Sequence, residues 1–398
     1  MDAGFCMDAM KRALQSSQPE IMNTDQGVQF TSAAFIGLLE DKNIRISMDG
    51  RGRAFDNIFI ERLWRTVKYD EVYIHQYTTV SDARRHLERY FVLTEQAPLT
   101  EAPDRIAAEL RLRLEKAVQK RISSDEIGCY LSGGLDSSVM AALARPHVKR
   151  LWTVAAGVAG APDLAYAREV ADFIKSDHTE VIVTFEDMLR VLPDVIWPLE
   201  SFDALLVRSS IMQYFASQQI RQYSTEAFSG EGGDKLFAGY AYLKDLPRER
   251  LDAELIDITN RFHNTALQRV DRCLTAYGLR AHVCFLDMDA VELAIQIPID
   301  LKLRGGVEKW ILREAVSDIL PERVLRRTKA KFWEGAGVQD LLANHAEPAI
   351  SDSDFARERT LPNGWVLGGK EELMYYRIYR EQLGPFANLD WMGRTPVS

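Results

Sequence analysis

The chain has 398 residues, 46% of them hydrophobic and 10% aromatic, with a formal net charge of −9. That is enough apolar material for two or three packed domains, and it excludes an intrinsically disordered chain. No apolar run reaches the roughly 20 residues of a membrane helix, the acidic start MDAGFCMDAM is unlike a signal peptide, and the acidic balance argues against a broad nucleic-acid surface. The expectation is a cytoplasmic protein with no membrane association and no functional nucleic-acid binding.

In chain order, the strand-like Glu20-Ile21-Met22 runs into Asn23-Thr24-Asp25-Gln26-Gly27, and Asp56 to Trp64 reads as the opening of an amphipathic helix carrying Glu61. Residues 94–101, TEQAPLTE, lack apolar periodicity and are the expected linker. Ile106, Leu110, Leu114 and Val118 then recur every fourth residue, which predicts a helix with one packed face leading to a strand at Ile127–Leu131. Small residues at Ser132-Gly133-Gly134 turn the chain sharply into a helix at Ser137–Ala144. Strands at Leu151–Ala155, Glu180–Thr184 and Ala227–Ser229 alternate with helices at Leu164–Ile174, Phe185–Val191 and Ile211–Gln219. Such alternation implies an α/β fold, a doubly wound parallel sheet covered on both faces, whose ligands collect at the carboxyl ends of its strands. Beyond Phe237 the pattern is mostly helical. Cys6, Cys129, Cys273 and Cys284 form no C-x-x-C and read as reduced core thiols, and the dispersed histidines suggest no zinc cluster.

The turn at Ser132–Ser138 sits at a strand's carboxyl end and opens a helix. Backbone N–H groups at Gly133 and Gly134, the hydroxyls of Ser132, Ser137 and Ser138, and the helix dipole together make an anion site, with phosphate the natural guest. It is neither a Walker A loop nor a G-x-G-x-x-G fingerprint. Taken alone, such a turn also fits a purely structural strand-to-helix connection.

Two resemblances sharpen this reading. TDQGVQFTSAAF and ISMDGRGRAFDNIFIERLWRTVKYDEVYIHQY, with the spacing from Asp25 to Glu61, closely resemble the catalytic core of insertion-sequence transposases of the retroviral-integrase superfamily. In that family three carboxylates hold two divalent metals for phosphodiester cleavage. Asp25 and Glu61 match the second and third; the first belongs to an upstream strand that this chain does not contain. Residues 1–93 are therefore expected to be an inactive, truncated RNase H-like remnant.

The second resemblance runs through YLSGGLDSSVMAAL, SGEGGDKLFAGY, the Arg272–Asp287 stretch and RRTKAKFWEG, in that order. SGGLDSS resembles the pyrophosphate-binding loop of ATP-pyrophosphatases, and the set as a whole resembles the synthetase domain of asparagine synthetases, over residues 102–385 with a tail at 386–398. The resemblance implies the ATP-pyrophosphatase fold with a helical C-terminal part, and an ATP-dependent amide ligase. In that family ATP activates a carboxylate as an acyl-adenylate with release of pyrophosphate, and an amine then yields the amide and AMP. ATP and Mg2+ are the implied cofactors; aspartate or a related carboxylate, and ammonia or an amine, are the implied substrates. A separate glutaminase subunit is an implied partner.

Residue by residue, Ser132, Gly133, Gly134, Asp136, Ser137, Ser138 and Gly230 match nucleotide-binding positions, with Val154 and Ala155 at adenine. Asp136 and Asp234 match magnesium ligands. Lys329 matches a lysine that reaches the α-phosphate or leaving pyrophosphate, and Glu231 stands where an acid/base group meets the acyl centre. Leu205, Arg208 and Asp287 match the substrate side. Departures are Asp2 in place of the glutaminase nucleophile, Lys235 where the family commonly carries Glu, and Cys284 in place of Pro; Leu205 and Leu206 stand where hydroxyls are usual. These put the acceptor in question and leave a lactam-forming or other specialised amide synthetase, or an inactive fusion product, as rival readings. A DNA-binding targeting module at residues 1–93 is a third.

Overall fold

The computed structural model describes residues 4–16, 18–24, 30–48, 93, 95–264, 266–329, 332–338, 340–384, 389 and 392–394. The chain divides into two compact units, Met1–Glu88 and Arg89–Ser398. In the first, helix α1 (Gly4–Ser16), strand β1 (Ile21–Thr24), helix α2 (Ala33–Glu40) and strand β2 (Arg45–Met48) place β1 parallel to β2. Their small core is Cys6, Phe35, Leu39 and Ile44. Asp25, Glu61 and the helix expected from Asp56 lie outside the described residues.

In the second unit two amides, one just before the expected linker at residues 94–101 and one within it, are bonded to later elements. The Leu93 amide donates to Asn260 Oδ1 at 3.3 Å and the Leu99 amide to the Gln296 carbonyl at 2.8 Å. Helix α3 (Pro103–Gln119) follows, with Pro103 in its first turn, where a missing N–H costs nothing, and the predicted face of Ile106, Leu110, Leu114 and Val118 buried. It leads into an alternating series: β3 (Glu126–Tyr130), α4 (Leu135–Ala144), β4 (Arg150–Gly157), α5 (Pro162–Ile174), β5 (Asp177–Ile182), α6 (Phe185–Leu199), α7 (Ala204–Ile220) and β6 (Glu226–Phe228). The boundaries of α6 and α7 are set by caps. Thr184 and Asp187 form a reciprocal capping box, and the Asp203 carboxylate accepts from the Leu206 amide at 2.8 Å.

After β6 come a single helical turn at Gly233–Leu236, α8 (Arg248–Asn260), α9 (Ala266–Thr275), β7 (Arg280–His282), α10 (Met288–Gln296), α11 (Trp310–Ala315) and α12 (Lys370–Leu383). The five strands form one parallel sheet in the order β5-β4-β3-β6-β7. One large core gathers α3, α4, α5, α10 and α11, and another gathers α6, α7 and α12 with the segments around Val338 and Leu342. The expected doubly wound α/β sheet is what the chain builds.

Two details differ from the sequence reading. β4 continues to Gly157, past the expected end at Ala155, and its pairing with β3 ends at Val154 while its pairing with β5 runs on to Gly157. β7 was not expected at all. Arg280-Ala281-His282 is too short and too polar to show alternation, and its place is fixed by non-local groups, with Glu226 accepting from Arg280 at 3.0 Å and pairing with His282 Nε2 at 2.9 Å. All four cysteines are free and buried, as expected. Among the described residues no helix is long and apolar enough to cross a membrane.

Candidate active site

The strand order puts β4 and β5 on one side of β3 and β6 and β7 on the other. Winding therefore reverses between β3 and β6, the place where sheets of this kind form a crevice at the carboxyl ends of their strands. Both predicted glycine loops arrive there. Gly133 has φ +67, and a Cβ on it would strike the backbone of α5 at Tyr166 and Ala167. A Cβ on Gly230 would stand 2.5 Å from the Ser137 amide nitrogen, so the β6 loop lies directly on the β3 loop. Ser137 Oγ accepts from the Ser132 amide at 3.1 Å and lies 3.0 Å from Ser132 Oγ; Ser138 Oγ donates to the Gly134 carbonyl at 2.8 Å. The serine hydroxyls thus shape the turn, while α4 begins at Gly134 with no side-chain cap. Its first amides carry no side-chain cap, as an anion site of the expected kind requires.

Charge is concentrated beside it. Lys309 Nζ lies 2.6 Å from Asp136 Oδ2 and 2.5 Å from Asp234 Oδ1, and Lys329 Nζ lies 2.8 Å from Asp234 Oδ2 and 4.0 Å from Asp136 Oδ2. Lys309 is only 2% exposed. Burial pushes the Asp136 carboxyl upward, reinforced by the neighbouring Asp234 charge, and Lys309 only partly opposes it. For Asp234 burial is outweighed by Lys309, Lys329 and Lys235, which hold it well below the usual carboxylate range. The same two carboxylates outweigh the desolvation of Lys329 and raise its ammonium. Asp136 Oδ1 is buried with no hydrogen-bond partner.

Glu231 pairs with Arg269, and its Oε2 lies 3.4 Å from Lys235 Nζ. Burial alone would raise its carboxyl, but those two cations hold it below its ordinary value and ionised. Lys235 is buried, its ammonium over the rings of Phe262 and Tyr240, and desolvation lowers it despite Glu231.

The remaining expected site residues are distributed more widely. Val154 and Ala155 are buried in β4, at the point where it outruns β3. Leu205 is half-buried on the first turn of α7. Arg208, one turn further along, is held by Glu371 of α12, with its Nε 3.0 Å from Glu371 Oε1 and the Tyr375 hydroxyl donating to the same oxygen at 2.8 Å. Asp287 accepts from Arg121 at 2.8 Å and Lys120 at 3.3 Å and caps the start of α10. The carboxylate of Asp287 and the guanidinium of Arg208 are both engaged by the protein itself.

Four participants escaped the sequence reading: Lys309, Arg269, Arg327 and Asp163. Lys309 is delivered by a hairpin, Leu303-Arg304 against Val307-Glu308, whose turn residues Gly305 and Gly306 have φ +59 and +78. The Gly-Gly pair is the one local signal that could have marked that turn. From it the Lys309 amide donates to the Phe237 carbonyl at 3.1 Å, just past Asp234. Arg327 pairs with Asp163 of α5 and donates to the Ser132 carbonyl at 3.3 Å, clamping the β3 loop from its far side.

The chain matches the asparagine synthase family over residues 109–257 and 247–368. It is 34% identical over 306 residues to a probable glutamine-hydrolyzing asparagine synthetase of Schizosaccharomyces pombe, covering 68% of this chain and 55% of that protein. Identity is 35% over 300 residues to the glutamine-hydrolyzing asparagine synthetase of Triphysaria versicolor, covering 69% and 51%. The corresponding protein of Bos taurus is 37% identical over 269 residues, covering 63% and 48%. The chain spans about half the length of the curated relatives it matches.

Proposed function

Because this chain belongs to the asparagine synthase family, we propose that its larger unit is an ATP-dependent amide ligase of the asparagine synthase type. An oxygen of the acceptor carboxylate attacks the α-phosphorus of ATP and pyrophosphate leaves. Ammonia or an amine then attacks the acyl carbon, and the bond to AMP breaks. The observation that carries the reading is the buried Asp136–Lys309–Asp234 cluster, with Lys329 beside it, at the crevice that also holds the uncapped start of α4.

In this reading the amides of Gly133 and Gly134 and the turn shaped by Ser132, Ser137, Ser138 and Gly230 cradle the pyrophosphate, with adenine against Val154 and Ala155. Lys329 compensates charge on the leaving pyrophosphate. Glu231, kept ionised by Arg269 and Lys235, takes the proton from the attacking amine.

Asp136 and Asp234 fit a magnesium ion. Asp136 Oδ1 is buried and unpartnered, and a cation, Lys309, already stands between the two carboxylates. Among the described residues they are a pair and no group of three acidic, His or Cys ligands exists, so these two carboxylates are the side chains that would hold the ion. The ion would supply neutralisation of the phosphate charge.

Aspartate is the reference acceptor. Leu205 favours a less polar acid, since a leucine cannot replace a hydroxyl as hydrogen-bond partner, and Arg208 meets an acceptor only by sharing or releasing Glu371. ATP–pyrophosphate exchange across a panel of carboxylates tests the reading. Exchange stimulated by none of them, with the chain folded, favours the inactive alternative. For residues 1–93 the proposal is a segment related to the transposase core, and for the whole chain a cytoplasmic location.

A further inference from the structure

Beside the Gly233–Leu236 turn lies a cavity of about 210 Å³ that shares only Lys235 with the chemistry above. Its walls are mainly apolar, with Leu236, Leu255, Ile295 and Ile297 among them, and one basic side chain stands out. Lys302, at the end of the helical turn Ile299–Lys302, is 3% exposed, and the acidic group that acts on its ammonium is the exposed carboxylate of Asp252. A buried ammonium opposed only by a screened carboxylate is costly, and it gains most when an anion meets it directly.

We propose that this cavity binds a small monocarboxylic acid with an apolar body, its carboxylate on Lys302. The volume lies below the roughly 300–1,000 Å³ of pockets for drug-sized ligands, so the guest is a short one. Two other acidic groups and one other basic group line the cavity: Asp252 from α8, Glu95 from the segment before α3, and Lys235. Lys235 is already paired with Glu231, and Asp252 and Glu95 are exposed, where water screens them. That leaves Lys302 as the charge with most to gain from a ligand, and its sign selects a carboxylate over an amine. A single acidic head is chosen because the rest of the lining is mainly apolar. Burial also lowers the Lys302 ammonium to about 8, Asp252 only partly opposing it, so it remains protonated at neutral pH.

Isothermal titration of the full chain at pH 7 with hexanoate, hexanol and hexylamine tests the assignment. Hexanoate should bind at least about tenfold more tightly than hexanol, and hexylamine more weakly than either. Lys302→Met keeps the side-chain length and removes the buried charge. It should cost hexanoate at least about tenfold while leaving hexanol unchanged. If that variant does not fold, the ranking of the three ligands on the unaltered chain decides. Hexylamine equal to or better than hexanoate, hexanoate unaffected by Lys302→Met, or hexanoate displaced by ATP would each overturn the proposal.

Discussion

The ammonium of Lys309 lies 2.6 Å from the carboxylate of Asp136, although 173 residues separate the two in the chain. Both are buried, and Lys309, shared with Asp234 at 2.5 Å, is the largest opposing charge that Asp136 meets. Removing one partner of such a pair leaves an uncompensated charge, which costs about 3–5 kcal/mol. Lys309→Met should therefore lower thermal stability strongly, and Mg2+ should raise the melting temperature of the variant by more than that of the unaltered chain, because Asp136 and Asp234 then lose the cation between them and keep only Lys329 beside them. An unchanged melting temperature, or no selective Mg2+ effect, would refute the cluster's role.

Asp136→Asn and Lys329→Ala each remove one preorganised charge from the phosphate site. Loss of a group aimed at developing charge costs on the order of 3 kcal/mol, or about 100-fold. Carboxylate-dependent ATP–pyrophosphate exchange should fall by at least that factor in both variants. Exchange at the unaltered level in either would remove that residue from the site.

At Gly230 the two loops meet with no room for a methyl group, because a Cβ would sit 2.5 Å from the Ser137 nitrogen. Backbone against backbone cannot yield as a flexible side chain can. Gly230→Ala should destabilise by about 1–3 kcal/mol, the usual cost of overpacking, and weaken ATP binding. Denaturant unfolding and nucleotide titration measure the two effects. A variant as stable as the parent would show that the loops move apart easily.

Glu231 has an ordinary value of 4.5 and a lower one when folded, since Arg269 and Lys235 outweigh its burial. Its ion pairs therefore stabilise the fold fully above pH 4.5, and that contribution is lost as pH falls through the depressed folded value. The stability difference between the parent and Glu231→Gln should be constant above pH 4.5 and shrink below it. A difference that grows on acidification would mean that Glu231 is protonated in the folded chain.

Lys302 works in the opposite sense. Its value falls from 10.5 to about 8 on folding, so the penalty of the buried ammonium is fully present below pH 8 and is relieved as pH rises towards 10.5. At pH 7 Lys302→Met should be more stable than the parent by on the order of 3 kcal/mol, and the gap should close between pH 8 and 10.5. Chemical denaturation across that range measures it. A gap independent of pH would place the ammonium in water.

The sequence alone determined what local pattern carries. The repeat of Ile106, Leu110, Leu114 and Val118 buried one face of α3, and strands alternating with helices implied the parallel sheet, because burial at period 3.6 or along a continuous run is written residue by residue. The glycines of the β3 and β6 loops were legible for the same reason: only a residue without Cβ fits there. Tertiary structure decided the rest. β7 has three residues, two of them polar, and exists because Glu226 and the edge of β6 receive it. Lys309 reaches Asp136 by way of a hairpin, and Arg208 and Asp287 spend their charge on Glu371, Arg121 and Lys120. Charge pairing has no period. It depends on which surfaces the completed fold brings within a few ångströms, and spacing along the chain carries no record of that distance.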